Sequence, residues 1–322
     1  MKLFRTLTLL ITFTVAGCAG TQMNPSPSVA NGPASQFASG PASPAQRIKH
    51  DKASFKRALY VVEDDSNAIK IFSNGNYREL GVITDGISSP LTETMDQRAN
   101  LYVGNTGTDD VTEYPSGDTS PSFTYNASMT YPEAVAVDHH GNLYEADGNG
   151  YVNQYFQGLN TLTQSCPKPS GTLFPTALAV DASGDVFVSY YSIYSSGGLY
   201  EFKGGLKYCK QTYLSAMGSE NTSGLALDVN ENLIAGAEGT EGVGIYVIAP
   251  PYSSITRTIG SYGGFFGLSL NKKNKLVFAA QYVGGSKVSI FNYQTGALVK
   301  VLDATYGITD PLDVVDAPNA VY

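Results

Sequence analysis

Short apolar runs separated by polar turns make up most of the chain from residue 53 onward. The stretch PEAVAVDHHGNLYEAD, which starts at Pro132, predicts one strand, a turn opened by Asp138 and a second strand. A polar loop and a third strand, YVNQY, follow, and this third strand ends at Tyr155. A weaker fourth strand comes next, as in ALVKVL after Gly296. The segments lack a helical period, so the pattern predicts an all-β fold of short strands.

This unit of four strands recurs along the chain. Related stretches are PLTETMDQRANLYVGN, PTALAVDASGDVFVSY, SGLALDVNENLIAGAE and FGLSLNKKNKLVFAAQ. The residue that opens the turn recurs at spacings of 42, 43, 47 and 43 residues, as Asp96, Asp138, Asp181, Asp228 and Asn271. Four strands in a repeat of this length are typical of one blade of a β-propeller.

The two ends of the chain decide the number of blades. The second strand of the unit occurs six times, at Leu59, Leu101, Leu143, Val186, Leu233 and Leu276. The first copy has no first strand before it, but DPLDVVDAP, at 310–318, matches the first-strand pattern at the other end of the chain. We therefore predict a six-bladed β-propeller over residues 53–322, whose first blade is closed by the C-terminal strand. Such closure removes exposed sheet edges.

The repeat pattern PxxxAVDxxGNLYV resembles that of the NHL-repeat family and related six-bladed propellers. The resemblance covers nearly all of the chain from Ala58 to Tyr322. It implies an architecture but not a function, because this fold hosts lactonases, lyases, sensors and binding modules. The choice between an enzyme and a binding module therefore depends on individual residues.

The N-terminus predicts export of the protein. MKLFRTLTLLITFTVAGCAG has a basic start and an apolar run too short to span a bilayer, which is the layout of a signal peptide over residues 1–17. The segment from Val15 to Cys18 resembles the bacterial lipobox, and the resemblance implies that Cys18 is acylated and anchors the protein to a membrane. Ala19 after the cysteine favours the outer membrane of a bacterial cell envelope. The alternative is an ordinary signal peptide with an unmodified cysteine.

Residues 18–52 predict a disordered tether between the lipidated cysteine and the propeller. They are rich in Pro, Ser, Ala and Gly and cannot bury enough apolar surface to offset the entropy of ordering. The whole chain has a net charge of −8. Because binding to nucleic acid needs clustered Lys and Arg, this balance argues against a nucleic-acid partner. The membrane, reached through the lipid anchor, is the partner that this region predicts.

Two of the three histidines, His139 and His140, lie side by side in the turn that Asp138 opens. The same two positions in the other copies hold Gln, Arg, Ala, Ser, Val, Asn and Lys, which indicates an exposed turn that tolerates many residues. Asp138 and Gly141 are typical of a tight turn. A zinc site would need further ligands from fixed positions, so we favour the turn over the metal site.

A column of residues near the end of each second strand is the main candidate for a ligand site. The column contains Glu63, Asn105, Asp147, Tyr190, Ala237 and Ala280. Neighbouring loops are expected to add acidic groups, namely Asp64, Asp65, Asp109, Asp110, Glu145, Glu238 and Glu241. This arrangement predicts an acidic mouth of the central channel that attracts a cation or a polyol. The alternative is that these side chains only stabilise their own turns.

Aromatic loops on the same face extend the candidate site. Tyr190, Tyr191 and Tyr194 lie in SYYSIYSSGG, and Tyr262 lies in GSYGGFFG. A tyrosine offers a flat apolar face with a polar hydroxyl, which suits a sugar or a peptide. Packing between blades is the alternative use of these rings. The preferred function is a non-catalytic module that binds a small molecule, a glycan or a protein, without a cofactor.

The competing hypothesis is a metal-dependent lactonase or hydrolase. The gluconolactonase and regucalcin group holds a divalent cation in the channel through Glu, Asn and Asp, the residue types of Glu63, Asn105 and Asp147. That family draws its ligands from several differently placed positions, and its Glu-Gly-Pro signature is absent here. Streptogramin-lyase-like propellers use a histidine near the mouth, where this sequence places none.

Cys166 and Cys209 follow Cys18 in the sequence and fall in the outer parts of consecutive blades. In an oxidising compartment such a pair predicts one disulfide that joins blade 3 to blade 4. The pairing requires that these outer positions come within disulfide reach, which equivalent positions of neighbouring blades need not do.

Overall fold

A computed structural model describes residues 55–169, 171, 173–192, 197–218, 221–238, 244–260, 264–281 and 285–318. These residues form 24 β-strands in six sheets of four strands. The signal peptide, Cys18 and the tether predicted for residues 1–52 lie outside the described residues, and so do Tyr194, Glu241 and Tyr262. Across the part of the chain that is described, no helix has the length and apolarity needed to cross a membrane.

Each sheet is one blade, and its strands pair antiparallel with their neighbours in the sheet. Blade 1 consists of β1 (Ala58–Glu63), β2 (Ala68–Ser73), β3 (Glu79–Ile83) and β24 (Pro311–Asp316). Blade 2 consists of β4 (Pro90–Met95), β5 (Leu101–Asn105), β6 (Asp110–Tyr114) and β7 (Phe123–Tyr125). Blade 3 consists of β8 (Pro132–Val137), β9 (Leu143–Asp147), β10 (Tyr151–Tyr155) and β11 (Leu162–Pro167). Blade 4 consists of β12 (Phe174–Val180), β13 (Val186–Tyr191), β14 (Gly198–Phe202) and β15 (Gln211–Leu214). Blade 5 consists of β16 (Asn221–Leu227), β17 (Leu233–Glu238), β18 (Ile245–Ile248) and β19 (Ile255–Ile259). Blade 6 consists of β20 (Phe265–Leu270), β21 (Leu276–Gln281), β22 (Lys287–Asn292) and β23 (Leu298–Leu302). Short 3₁₀ helices lie at Leu206–Tyr208, Ser215–Met217 and Ala304–Tyr306.

The C-terminal strand closes the ring. Blade 1 has the strand order β24, β1, β2, β3, and β24 pairs antiparallel with β1 through Tyr60 opposite Val315 and Val61 opposite Val314. The first strands of successive blades, β4, β8, β12, β16, β20 and β24, contact one another in a complete circle. The predictions of six blades and of closure by the C-terminal strand are therefore confirmed.

The innermost strands begin with an irregularity that the repeat encodes. In blades 2 and 3 the register shifts directly after the first residue, Pro90 or Pro132, and in blade 4 it shifts after Pro175. Proline lacks the N–H that a central strand must donate, but it is tolerated at the start of an edge strand or at a bulge. The recurrent proline therefore fits the strand that borders the channel.

The turn between first and second strands is held by its aspartate. The Oδ1 atom of Asp138 accepts hydrogen bonds from His140 N and Asn142 N, both at 2.9 Å. The Oδ2 atom accepts one from Asn142 Nδ2 at 2.9 Å. Gly141, at φ +86°, occupies the left-handed position that this turn requires. Asp96, Asp181 and Asp228 make the same pair of backbone bonds in their own copies.

Apolar side chains fill the interfaces between neighbouring blades, which we call seams. In the seam between blades 3 and 4, Ala146 and Val152 of one sheet pack with Val188 and Phe202 of the other. Comparable clusters occupy the seams between blades 2 and 3, 4 and 5, 5 and 6, and 6 and 1. The apolar core is therefore distributed over the seams, and each blade depends on its neighbours for burial.

Candidate functional site

The predicted column lies on the face that carries the turns between second and third strands, which we call the mouth face. Glu63, Asn105 and Asp147 are the last residues of β1, β5 and β9, and Tyr190 is the last but one of β13. All four side chains are buried, with no more than 4% of their surface exposed. The structure thus brings them to equivalent positions of four successive blades, as the repeat predicts.

Glu63 fixes the connection that enters the closing strand. Its Oε2 atom accepts hydrogen bonds from Thr309 N and Thr309 Oγ1, both at 3.0 Å, and lies 3.9 Å from Lys70 Nζ. Its Oε1 atom is buried and has no hydrogen-bond partner in the described structure. The carboxylate therefore holds the chain in place just before Pro311, while one of its oxygens stays unsatisfied.

Asn105 holds the connection from blade 1 to blade 2. Its Oδ1 atom accepts a hydrogen bond from Ser88 N at 3.0 Å, and its Nδ2 atom donates to Gly86 O at 3.2 Å. The same Nδ2 atom lies within bonding distance of Asp110 Oδ1 and Thr112 Oγ1, at 2.9 and 3.1 Å. Both ends of the amide thus bind groups of the protein itself.

Asp147 closes the turn that follows it. Its Oδ1 atom accepts a hydrogen bond from Tyr151 N at 2.9 Å. Burial raises the pKa of this carboxyl, and hydrogen bonds from the backbone of Tyr151 and Asn149 lower it in part. The side chain therefore acts as a turn acceptor of the kind that Asp and Asn commonly supply.

Each of the three polar residues of the column serves a different connection or turn. A metal ion would need carboxylate oxygens that converge on one point from several residues. Within the described ranges, no group of three or more His, Cys, Asp and Glu side chains is placed to hold a metal ion. Glu63 and Asn105 thus hold connections that lead to other strands, and Asp147 holds the turn that follows it.

His139 and His140 are exposed at the tip of the turn that Asp138 holds, and their ring centroids lie 3.7 Å apart. This turn joins a first strand to a second strand and so lies on the face opposite the mouth face. The position matches the interpretation of the histidines as part of a surface turn.

A row of three tyrosines crosses blade 4 from its second strand to its outer strand. The ring centroids of Tyr190 and Tyr200 are 5.5 Å apart with an interplanar angle of 84°. Those of Tyr200 and Tyr213 are 5.4 Å apart at 64°. Tyr190 is fully buried, Tyr200 is half-buried and Tyr213 is 44% exposed. We call these residues the tyrosine row, and it leads from the interior to solvent.

Gly198 makes room for the row at the start of β14. A Cβ atom at this position would lie 2.8 Å from Tyr213 Cε2 and 3.2 Å from Tyr200 Cε2, so the two rings rest directly on the glycine backbone. The hydroxyl of Tyr190 is buried and has no hydrogen-bond partner in the described structure. Burial raises the pKa of Tyr190, which stays a neutral phenol. Tyr191, the other predicted tyrosine, is half-buried opposite Phe174.

Cys166 and Cys209 form a disulfide in the structure, with a Cα–Cα distance of 5.1 Å. Cys166 is fully buried in β11, the outer strand of blade 3, and Cys209 follows the 3₁₀ helix Leu206–Tyr208 between β14 and β15 of blade 4. The 3₁₀ helix lies in the connection between the third and fourth strands of blade 4, and this connection carries Cys209 to the outer strand of blade 3.

Two buried carboxyl groups lie inside strands, one where sequence reasoning expected a loop and one that it did not consider. Glu145, expected in a loop of the mouth face, instead lies inside β9 with 0% exposure, and its Oε2 atom accepts a hydrogen bond from Asn153 Nδ2 at 2.9 Å. Glu93 lies inside β4 and is 5% exposed. The registers align Glu93 with Val135 and Leu178 in the next two blades. A charge where the next two copies have apolar residues was therefore a signal in the sequence.

The exposed acidic groups of the mouth face agree better with the prediction. Asp65 and Asp109 are exposed, and Asp64 and Asp110 are half-buried. The Oδ1 atom of Asp109 accepts a hydrogen bond from Tyr131 N at 2.7 Å. The side chain of Glu238 lies outside the described residues. The four aspartates lie in blades 1 and 2, so the acidic surface borders one part of the mouth.

No protein-family model and no curated protein matches the chain. The fold and the geometry of the seams are therefore the basis for any statement about function.

Proposed function

We propose that the chain is a lipid-anchored protein of the bacterial cell envelope whose propeller, built from NHL-like repeats, binds a ligand without catalysis. The observation that supports binding is the tyrosine row. Rings that touch edge to face across three strands form a rigid aromatic surface, and its exposure increases from the buried Tyr190 to the exposed Tyr213. A rigid surface loses little conformational entropy when a ligand binds.

The chemistry of the row favours a glycan over a small apolar ligand. Tyr213 presents an aromatic face of the kind that packs against the flat side of a sugar ring, and tyrosine hydroxyls add hydrogen bonds. The hydroxyl of Tyr213 donates to Gly218 O, which fixes the ring. The acidic balance of the chain, with a net charge of −8, disfavours a strongly acidic ligand.

The test is a titration of the full chain with a panel of soluble oligosaccharides by calorimetry. Tyr213→Ala removes the exposed ring, and we expect the affinity for a bound oligosaccharide to fall about tenfold, which corresponds to about 1.4 kcal/mol. Tyr208→Ala is the matched control, because Tyr208 belongs to the same blade and is 78% exposed but lies outside the row. An unchanged affinity in the Tyr213 variant would contradict a glycan site at this row.

The metal-dependent lactonase remains the alternative function. It requires that Glu63, Asn105 and Asp147 turn their oxygens toward a shared ion, whereas each of them binds its own connection or turn. The two proposals are distinguished by adding Ca²⁺ or Zn²⁺ to the full chain and measuring lactone hydrolysis. Metal binding and hydrolysis that are both lost in Asp147→Ala would favour the enzyme.

The anchor is tested independently of the ligand. We expect Cys18→Ala to abolish incorporation of radiolabelled palmitate and to release the protein from the membrane fraction, because the acyl chains provide the attachment. Cys209→Ala, which keeps the lipobox-like segment, is the control. Density-gradient separation of the two membranes would then test the proposed location in the outer membrane. Labelling that persists in the Cys18 variant would contradict the anchor.

A further inference from the structure

The face opposite the mouth face is formed by the turns between first and second strands and by the connections between third and fourth strands. Hydrogen bonds join the two kinds of segment. Gln157 N donates to Asn142 Oδ1 at 3.4 Å in blade 3, and Gly204 N donates to Asp185 Oδ1 at 2.6 Å in blade 4. Comparable bonds occur in blades 2, 5 and 6. The turns and the connections therefore form one surface.

The chain also enters the propeller on this surface. The described part begins at Phe55 and leads into β1, which is the second strand of blade 1 and so starts on the side of these turns. Ala317 N, after the closing strand, donates to Ala58 O at 2.8 Å and completes this end of the blade. The tether predicted for residues 18–52 thus joins the propeller here. We call residues 55–57, the turns and the connections together the tether face.

Most of the basic side chains of the propeller lie on the tether face. Of the 15 Lys and Arg residues in the described ranges, ten belong to this face, and all ten are exposed. They include Lys56 and Arg57 where the chain enters, and Lys272, Lys273 and Lys275 in the turn of blade 6. Such a concentration of positive charge attracts an anionic surface.

Acidic side chains on the tether face are fewer and lie deeper. Glu79, at its border, is exposed, whereas Asp118, Asp185 and Glu231 are half-buried. The aspartates that open the turns of blades 2 to 5 are buried and accept hydrogen bonds from backbone N–H groups of their own turns. The outermost charges of this face are therefore mainly positive, although the whole chain has a net charge of −8.

Large apolar side chains are exposed among these charges. Phe156 and Leu159, in the connection of blade 3, are 48% and 53% exposed. Tyr208, in the connection of blade 4, is 78% exposed, and Lys207 Nζ lies 5.1 Å from the centre of its ring. Aromatic and basic side chains together suit the boundary of a bilayer, where rings enter the headgroup region and ammonium groups remain among the headgroups.

We propose that the tether face docks on the surface of an anionic phospholipid bilayer, with Phe156 and Leu159 inserted among the headgroups. The negative potential of the bilayer attracts the exposed basic side chains, and the inserted side chains add apolar burial. The inference rests on the proposed lipid anchor and adds an orientation to it. The mouth face then points away from the bilayer and stays accessible from the aqueous side.

The tether makes docking favourable even if the contacts are modest. A disordered chain of about 35 residues has a typical reach of about 30 Å, so the anchor keeps the tether face close to the bilayer. Docking is then an intramolecular step with a high effective concentration. A few basic and apolar contacts are therefore sufficient to orient the propeller.

The experiment uses tryptophan as a reporter, because the chain contains none. Phe156→Trp places the reporter on the tether face. Tyr151→Trp is the matched control, because Tyr151 is 44% exposed and lies at the opposite end of β10, on the mouth face. The lipidated full chain of each variant is reconstituted into phosphatidylcholine vesicles that contain brominated lipid, with or without phosphatidylglycerol.

We expect the bromine atoms to lower the emission of the Phe156→Trp variant about twofold in vesicles with phosphatidylglycerol, because the ring enters the bilayer boundary. The emission of the Tyr151→Trp variant should be the same in both kinds of vesicle. Raising the salt concentration from about 0.1 to 1 M shortens the Debye length from about 10 to 3 Å and should weaken the quenching.

Charge variants in the Phe156→Trp background test the basic side chains. Glutamine at both Lys272 and Lys273 should remove most of the quenching, because two positive charges of the tether face are lost. Glutamine at both Lys168 and Lys287 is the control. Lys168 lies beside Gly150 in the turn after β9, and Lys287 begins β22, so both belong to the side of the mouth face. Equal quenching in the two double variants would contradict the role of the basic face.

Flotation of the vesicles separates a failure of docking from a failure of the anchor. A chain that floats with neither kind of vesicle contradicts both the anchor and docking. A chain that floats with both kinds, but whose two reporters are quenched equally or not at all, contradicts docking alone. A change in the emission of the Phe156→Trp variant on addition of polyglutamate, without quenching in vesicles, would assign the face to an acidic protein and overturn the proposal.

Discussion

The seam between blades 3 and 4 and the seam between blades 1 and 2 are built from the same repeat but are held by different forces. Between blades 3 and 4, Ala146 and Val188 belong to one apolar cluster, and a disulfide joins the outer parts of the blades. Between blades 1 and 2, Asp313 of the closing strand meets Glu93. The cluster of the first seam consists of apolar residues and the two cysteines, whereas the second seam brings the carboxyl groups of Asp313 and Glu93 to the junction of two blades.

The difference shows how a propeller distributes its stability. Blades 3 and 4 are continuous in the chain, and a covalent bond with apolar burial holds them at any pH at which the disulfide persists. Blade 1 is assembled from both ends of the chain, so its closing strand must be recruited from a distance of some 250 residues, which costs loop-closure entropy. Closure of blade 1 therefore depends on contacts between residues that are far apart in the chain.

Removal of the closing strand has the largest expected effect. A chain that ends at Asp310 lacks β24, leaves the edge of β1 unpaired and exposes the apolar seam between blades 6 and 1. We expect it to aggregate or to lose its cooperative thermal transition, measured by circular dichroism and size-exclusion chromatography. A chain that ends at Pro318 keeps all 24 strands and is the control. A soluble, cooperatively melting truncate would refute closure by β24.

Removal of the disulfide tests the other seam. Cys166 and Cys209 are 43 residues apart in the sequence, and the double variant with alanine at both positions should lower the free energy of unfolding by about 2–4 kcal/mol. Chemical denaturation at pH 5 and at pH 8 measures the loss. Equal losses at the two pH values are expected, because no carboxyl of the closing strand is touched. A loss of unfolding free energy at only one of the two pH values would show that the stability of the seam between blades 3 and 4 also depends on pH.

Gly267→Ala tests the packing at the closing strand without a change of charge. The added Cβ atom would lie 2.6 Å from the Cα atom of Asp313, closer than carbon atoms pack, so backbone must shift. We expect a loss of about 1–3 kcal/mol in the free energy of unfolding, measured by urea denaturation. Leu298→Ala, at a 57% exposed position of the same blade, should change it little. Equal effects of the two variants would show that β20 does not brace β24.

The smallest effect is expected at the exposed turn of blade 3, which belongs to neither seam. Alanine at both His139 and His140 should change the free energy of unfolding by less than about 0.5 kcal/mol, because both side chains are exposed. Asp138→Ala in the same turn removes the acceptor of four hydrogen bonds and should cost about 1–3 kcal/mol by thermal denaturation. A large loss in the histidine variant would assign it a role beyond the turn.

Much of the fold could be predicted from the sequence, because the residues that mark its turns and strands are local and repeated. The turn aspartates, the proline at the start of the inner strands and the second-strand leucines recur at a nearly constant spacing, and each copy supports the interpretation of the others. The geometry of the candidate site was harder to predict from the sequence. Glu63, Asn105 and Asp147 were correctly aligned, but their hydrogen bonds with Thr309, Ser88 and Tyr151 depend on the path of each connection.

The sequence by itself determined the blade, the number of blades and the strand that closes the ring, because periodicity and the unmatched strand at each end are visible without coordinates. Tertiary structure alone decided which carboxyl groups meet. Asp313 and Glu93 are 220 residues apart, and they adjoin only because closure places β24 beside β4. Likewise, the tyrosine row depends on the register of three strands. Burial and proximity set the charge of a side chain, and both are properties of the assembled ring.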